Sequence, residues 1–451
     1  MTPRVRFAPS PTGLLHIGNL RPALLNWLFA RRAGGQFLLR IDDTDRDRSR
    51  EELVDAIKAD LTWLGLTWDA FDRQSARSAR YSDVIEHLKS SGRLYPCYES
   101  ADELDRRRKR QLAAHQPPIY NRAALQLTPA EREKLEAEDR RPHWRFLLAN
   151  YAGSPGRIER TEVVWEDAIR GHQMVDLASL SDPVLLREDG AALYTLCSVV
   201  DDIDHGITHI IRGEDHVTNT GVQIDIFRAL SAAVPQFAHH SLFVGADGEA
   251  LSKRLGSLSL KSFREAGLEP MALTSYVATL GTSDPIAPFA DMQALAARFD
   301  LGKLSRSPAR FDERELADLN AKLLHEMPFD AVAGRLQGVA PALWAASRGN
   351  IRVFKDIERW QRVIAGPIEP VMEDAEFCAR AAAVLPSEPW SDATWGQWTV
   401  VLREATGRKG RDLFHPLRQA LTGADSGPEM KLMLPLIGRA KAQARLQGQA
   451  A

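Results

Sequence analysis

Two short stretches carry residues that can handle phosphate. In PSPTGLLHIGN, His16 and Gly18 stand just ahead of a run with helical spacing. Unpaired backbone N–H groups and the helix dipole attract anions at such a point. Gly18 lets a ligand approach the backbone closely. The His16 imidazole can donate to phosphate oxygens as charge builds in a transition state. Alone, an HxG reads more simply as a helix cap on a turn shaped by the prolines. Far downstream, GADGEALSKRLGS puts Ser252, Lys253 and Arg254 on a glycine-flanked loop. Two adjacent cations there could clamp a polyphosphate and let it leave with its product, although a solvated surface turn has the same composition. Together the two elements point to phosphate chemistry far more strongly than either does alone.

The elements that must position them are legible around the first stretch. Arg4 to Ala8 alternates polar and apolar residues and predicts a short strand, broken by Pro9-Ser10-Pro11-Thr12-Gly13. Leu20, Leu24, Trp27 and Leu28 recur at helical spacing over 19–32. Gly34-Gly35 ends that helix, and Gln36 to Ile41 reads as a buried strand, completing a right-handed βαβ unit. Ser49 and Glu52 predict a capping box for a second helix with Leu53, Ile57, Leu61 and Leu64 as its stripe and Gly65 as its stop. The charged stretch from Ala101 to Arg145, interrupted by Pro117-Pro118, predicts an inserted helical or irregular subdomain. Thr208 to Arg212, Val217 to Leu230 and His240 to Val244 then resume strand, helix and strand. From about Phe311 helical stripes dominate, and the tail KAQARLQGQA is expected to fray.

The fold class expected is therefore α/β. A doubly wound parallel sheet of Rossmann type is split by an insertion and followed by an all-α region. Residues 1–95 and 191–245 make the two halves of the sheet domain, 96–190 the insertion, 246–310 the segment with the Ser252–Arg254 loop, and 311–451 the helical region. A net charge of −2 over 451 residues shows no global basic excess, yet such a chain can still concentrate cations on one face. Cys97, Cys197 and Cys378 are odd in number, scattered and without a CxxC, which argues against a disulfide framework and for a reducing cytoplasm. No run approaches the roughly 18 apolar residues of a membrane span, and MTPRVRFAPSPTG has no apolar leader core.

Three stretches make the chain recognisable: RFAPSPTGLLHIGNLRPALLNWLFARRAGGQFLLRIDDTDRDRS, GITHIIRGEDHVTNT and DGEALSKR. They resemble a bacterial-type glutamyl-tRNA synthetase, a class I aminoacyl-tRNA synthetase. The match is close over the first 95 residues and from Leu193 to Pro270, and looser through PARFDERELADLNAKLL to HPLRQALTGADSGPEMKLMLPLIGRA. The resemblance implies that glutamate and ATP, with Mg2+, give glutamyl-adenylate and pyrophosphate. The glutamyl group then passes to a ribose hydroxyl of the terminal adenosine of tRNA. No covalent enzyme intermediate is needed, so the site positions groups and stabilises charge. A cytoplasmic monomer that needs bound tRNA before it activates glutamate is also implied.

Site residues carry over by position. Pro9 to Asn19 matches the first ATP signature, with His16 as its first histidine and the uncharged Asn19 in place of the second. Pro9, Gly18 and Asn19 are thereby expected on ATP, and Glu214 in RGEDH matches a position beside the ATP site. Ala250 to Arg254 matches the second signature and places Ser252, Lys253 and Arg254 on ATP. Lys253 would neutralise the leaving pyrophosphate, and Ala250 stands where lysine is usual. His16 and Lys253 are the expected catalytic residues. A glutamate pocket needs an arginine for each carboxylate and an acid for the amine. The resemblance assigns Arg6 and Arg212, both at the carboxyl ends of strands where such sheets place ligands, with Ala8, Ser10 and Tyr194. Asp42 in RIDDTD, one methylene shorter than the family's glutamate, takes the ammonium, and Ser198 replaces an asparagine of some relatives.

Many relatives hold zinc through CxC and a later Cys and His. Here Cys97-Tyr98-Glu99 has lost the second thiol and IYNRAAL has no cysteine, so no zinc is expected. No carboxylate cage for Mg2+ is visible either. Contacts to tRNA should be electrostatic with splayed single-stranded bases. Asp105 to Arg110 is the candidate for the acceptor end, and LREATGRKGRDLFHPLR for the anticodon end. Residues 96–190 would thus bind the acceptor, 246–310 the stem and 311–451 the anticodon. PSPTG argues against a glutaminyl enzyme. The Lys253 loop and the residues beyond it argue against the short paralogue that lacks an anticodon-binding region. An enzyme charging glutamine tRNA, alone or as well, stays open. So does a silent tRNA-binding paralogue, favoured by Asn19, Asp42 and Ala250 but opposed by His16, Lys253, Arg6 and Arg212.

Overall fold

In the computed structural model β1 (Arg4–Phe7) pairs in parallel with β2 (Gln36–Ile41), and β2 with β3 (Ala70–Arg73). The crossovers are α1 (Ile17–Arg32) and α2 (Glu51–Trp63). Leu20, Leu24, Leu25, Trp27 and Leu28 are all buried, so α1 is covered on more sides than a surface helix and shows no single clean stripe. The predicted capping box at Ser49 is not formed. The cap of α2 is Arg50, whose N–H donates to Pro11 O at 3.2 Å, while Ser49 N–H goes to Asp45 O. A long-range bond to the PSPTG loop thus sets the register, and Glu51 and Glu52 supply the acidic first turn.

After α3 (Ser78–Ser90) the chain enters the insertion. Two helices of the charged stretch form as expected, α4 (Ala101–Ala113) and α5 (Pro129–Ala137), each with a capping box, at Ser100 and Thr128. The stretch is not only helical or irregular, however. Strands β4 (Leu94–Cys97), β5 (His143–Phe146) and β8 (Val184–Leu186) make an antiparallel sheet in that order, and β6 (Glu162–Asp167) pairs with β7 (Gly171–Asp176). Strands as short as LYPC and HWRF carry too few residues to show a period of two.

The parallel pattern resumes with α6 (Tyr194–Asp204), β9 (His209–Gly213), α7 (Val217–Ala229) and β10 (Gln236–His240). Thr208 N–H donates to Arg4 O at 2.9 Å, so β9 enters beside β1, and the β9–β10 pair adjoins the three-stranded sheet β3-β2-β1. The single strand predicted at His240 to Val244 is instead the end of β10 and the start of β11 (Phe243–Gly245), which pairs with β12 (Ala309–Phe311). Leu38, Leu196, Val199, Ile210, Ile224, Phe227 and Phe237 belong to one buried apolar cluster between sheet and helices.

The structure describes residues 2–45, 47–153, 159–249, 251 and 258–451. They fall into two units, Met1–Phe263 with Thr274–Asp312, and Arg264–Leu273 with Glu313–Ala451. The second is helical from Glu313–Glu326 to Arg439–Leu446, around Trp344, Trp360, Phe377, Trp398, Leu417 and Leu434. Its tail does not fray. Arg445 is fully buried and donates to Ala451 O and Leu421 O, both at 2.8 Å, and Ile368 N–H also reaches Ala451 O at 3.0 Å. Among the described residues no helix is long and apolar enough to cross a membrane.

Candidate active site

Where β1 ends, the chain turns through Pro9 and Ser10 into the N-terminus of α1, and a cavity of about 540 Å³ opens between that turn and the end of β9. His16 caps α1. Its Nδ1 accepts the Gly18 N–H at 3.1 Å, which leaves the ring proton on Nε2. Burial holds the imidazole below its ordinary value, so it meets the cavity as a neutral donor. Asn19 closes the capping box through its side-chain oxygen, which takes the His16 N–H at 3.2 Å. The first turn of α1 has no acidic residue, so its positive end is left uncompensated.

Three arginines stand at or under the cavity in different states. Arg6 Nε and Nη2 donate to Asp202 at 3.1 and 3.3 Å. Arg40, fully buried, donates to both oxygens of Asp42 at 2.7 and 3.0 Å and to Asp202 at 3.0 Å, and lies 3.5 Å from Asp201. Arg212 is different: no carboxylate among the described residues pairs with it. Its Nε donates to His239 Nε2 at 3.2 Å and its Nη2 to Thr220 Oγ1 at 2.7 Å, while buried Nη1 has no partner. Burial pulls the guanidinium down to about 10. A desolvated cation with a spare donor at a cavity wall is prepared for an anion.

The cavity gathers many of the predicted residues: Arg6, Ala8, Pro9, Ser10, His16, Gly18, Asn19, Tyr194 and Arg212 all line it. Asp42 and Ser198 are buried and do not. Both are engaged by Arg40, Ser198 Oγ at 3.3 Å, and burial pushes the Asp42 carboxyl up to about 6. Glu214 accepts from Arg170 at 2.5 Å and from Leu242 N–H at 3.3 Å, and its neighbour Asp215 lines the cavity instead. Ala250, Ser252, Lys253 and Arg254 lie outside the described residues.

Sequence reasoning passed over Arg40, Asp201 and Asp202, and the supports of Arg212. The acid pair in VVDDID was a usable signal, because two aspartates on an apolar helix need buried partners. Thr220 and His216 sat inside the quoted RGEDHVTNT. Nothing local marked His239 or Asp167. The lining residue His240 was also unmarked: its Nδ1 donates to Ser241 O at 3.0 Å and its buried Nε2 has no partner.

In the insertion, Cys97 is buried with Tyr95, Tyr120 and Ala124, and burial pushes its thiol up to about 12. Glu99 accepts from the Tyr120 hydroxyl at 2.8 Å and pairs with Arg107 at 3.5 Å. A second cavity of about 390 Å³ is lined by Arg106, Arg107 and Arg110 with Glu99 and Glu103. In the helical unit, Arg408 lies over the Phe377 ring and pairs with Asp374 at 2.7 Å, and Arg418 donates to Pro428 O. Those two arginines of the basic run are thus engaged within the helical unit.

Residues 3–318 match the catalytic domain of class I tRNA synthetases (E and Q), and 373–450 an anticodon binding domain. Over 456 residues, spanning 100% of this chain and 99% of the relative, the sequence is 57% identical to glutamate–tRNA ligase 2 of Methylorubrum populi. Glutamate–tRNA ligase 1 of Maricaulis maris is 54% identical over 99% of this chain and 100% of its own. The crystal structure of a glutamate tRNA ligase from Elizabethkingia meningosepticum, in complex with its amino acid, superposes with a TM-score of 0.84 at 26% identity. That match covers 99% of this chain and 98% of that one.

Proposed function

The chain belongs to the class I tRNA synthetases of the E and Q type and ligates glutamate to tRNA, and from that premise we propose which of its residues do the work. Arg212, with a buried donor to spare, takes a carboxylate of glutamate, and Arg6 and Tyr194 complete the contact from facing walls. Ala8 and Ser10 shape the same wall. The ATP phosphates lie against Pro9, Gly18 and the open end of α1. His16 Nε2–H and the Asn19 amide donate to them as the glutamate carboxylate attacks the α-phosphate. Lys253 neutralises the departing pyrophosphate, with Ser252 and Arg254 beside it in sequence as further ATP ligands. The glutamyl group then moves to a ribose hydroxyl of the terminal adenosine.

What supports this assignment is one juxtaposition: the uncompensated end of α1 and Arg212, whose buried Nη1 has no partner, line the same cavity. Phosphate and carboxylate are thereby presented to each other, as adenylate formation requires. Asp42, locked on Arg40, reaches the ammonium through the field of that cluster or through a bridging water, and Ser198 acts only through Arg40. Glu214 sets Asp215 and the β10–β11 turn beside ATP. No group of three or more His, Cys, Asp or Glu among the described residues is arranged for a metal. Mg2+ enters as the counter-ion of ATP. The Arg106–Arg110 cavity takes the acceptor end, and the exposed cations Lys409 and Arg411 belong to the anticodon side. The enzyme works in the cytoplasm as a monomer.

The decisive experiment is charging with labelled glutamate on two separately prepared tRNAs, one for glutamate codons and one for glutamine codons. Charging of the first alone defines a discriminating enzyme. Charging of the second, alone or as well, defines one whose product is corrected by amidation. If neither accepts glutamate, the residue assignments fall.

A further inference from the structure

Arg212 and His239 are direct neighbours in the parallel ladder of β9 and β10. His239 is fully buried and its Nδ1 lies 2.5 Å from Asp167 Oδ2. The other oxygen of Asp167 accepts three backbone N–H groups, those of Ile169, Arg170 and His239, at 2.9 to 3.1 Å. Asp167 is therefore anchored as an ionised acceptor, and it holds the imidazole proton on Nδ1. Nε2 is left as a lone pair, facing Arg212 Nε–H at 3.2 Å and the Thr220 hydroxyl at 2.9 Å. Burial keeps His239 below its ordinary value, so it stays neutral beside the cation. With Nε on His239 and Nη2 on Thr220, the guanidinium plane is fixed at two corners, and only the buried Nη1 is left without a partner.

We propose that Asp167 and His239 are positioning residues for substrate selection: the carboxylate fixes the imidazole tautomer, the imidazole fixes Arg212, and Arg212 meets the substrate carboxylate at one set angle. This rests on the assignment of Arg212 to glutamate. It also gives the insertion, through the end of β6, a direct hand in amino-acid recognition that its charged surface does not reveal.

The test uses the full-length enzyme in ATP–pyrophosphate exchange with tRNA present, comparing Arg212→Ala, Asp167→Asn, His239→Leu and His239→Gln. Asn at 167 keeps the oxygen for the backbone donors but turns an amide N–H toward Nδ1. The tautomer inverts and an N–H faces the N–H of Arg212. Asp167→Asn and His239→Leu are expected to raise the glutamate KM about ten- to a hundred-fold, the scale of a misplaced binding group. The ATP KM and the kcat at saturating glutamate should stay within a few-fold of wild type. Gln at 239, which restores an acceptor, should recover part of the loss. A merely structural role would lower the active fraction and leave both KM values in place. Wild-type glutamate KM in Asp167→Asn and His239→Leu, or equal changes for glutamate and ATP, overturns the relay. If Arg212→Ala itself leaves the glutamate KM unchanged, the assignment of Arg212 fails first. Should the buried variants not fold, Thr220→Val, which removes the Nη2 acceptor together with the hydroxyl's contacts to His239 Nε2 and His216 O, is expected to raise the same KM several-fold, and no change there also counts against the relay.

Discussion

Replacing Asp202 by asparagine tests the charge arrangement under the cavity most severely. The carboxylate accepts Arg6 at 3.1 and 3.3 Å and Arg40 at 3.0 Å, and is 2% exposed. Asparagine keeps one oxygen for two buried guanidinium groups and turns an N–H toward them. Breaking a buried pair from one side costs about 3–5 kcal/mol, because the cation left behind stays desolvated. At about 2–4 °C per kcal/mol for a domain of a few hundred residues, the first unfolding transition should drop by roughly 6–20 °C. Asp204→Asn is the matched control on the same helix. Its pairs with Arg77 and Arg80 lie at the surface, where an ion pair contributes about 0–1 kcal/mol. Calorimetry on both variants gives the stability difference. Exchange assays should show the glutamate KM rising in Asp202→Asn, as Arg6 loses its anchor, with the ATP KM unchanged. Equal melting of Asp202→Asn and the control, together with a wild-type glutamate KM, would refute the claim that this carboxylate holds Arg6 for the substrate.

Four further outcomes are expected. His16→Ala should slow glutamyl-adenylate formation by about a hundred- to a thousand-fold, the usual loss on removing one donor to developing charge, in single-turnover exchange, with a drop in Tm of only a few degrees from the lost cap. Asp42 has a folded-state value raised to about 6, above its unfolded value near 3.9. The folded state therefore binds this proton more readily, and the group's contribution to stability falls as pH rises from about 4 to 6. In activity the sign reverses: protonation below about 6 releases Arg40, so kcat/KM for glutamate should show an acidic limb there that Asp42→Asn lacks. Cys97, fully buried with its thiol pushed up to about 12, should resist maleimide until the protein is denatured. Exhaustive chelation followed by Mg2+ should restore full charging with no zinc added.

Local signals carried the sequence reading as far as they reached. The βαβ unit was legible because Phe37, Leu38, Leu39 and Ile41 concentrate apolar side chains in Gln36–Ile41 and α1 has turn residues on both sides. The cavity wall was legible because His16, Arg6 and Arg212 lie in motifs that are each continuous in the chain. What stayed hidden depends on partners far apart in sequence. Asp202 meets Arg6 across 196 positions and Asp167 meets His239 across 72, and no window spans either. Boundaries failed for the same reason. Ser49 had the right chemistry for a cap, but the bond from Arg50 to Pro11, invisible locally, decided the register. The tail read as polar and loose, although Arg445 and Leu446 are both fully buried.

The insertion between β3 and β9 also has a consequence in time. Arg6 and Arg40 are synthesised long before Asp201 and Asp202, and at about 5–20 residues per second the 196 positions between Arg6 and Asp202 take roughly 10–40 s to emerge. Until then the nascent sheet holds β1, β2 and β3 with two guanidinium groups that cannot be buried, and one face of β1 lacks its neighbour β9. The first half must therefore wait, open at an edge, while the insertion is translated and folds ahead of it. Ribosome-bound chains halted before residue 200 should expose that edge to chaperones, and chains halted well beyond His240 should not.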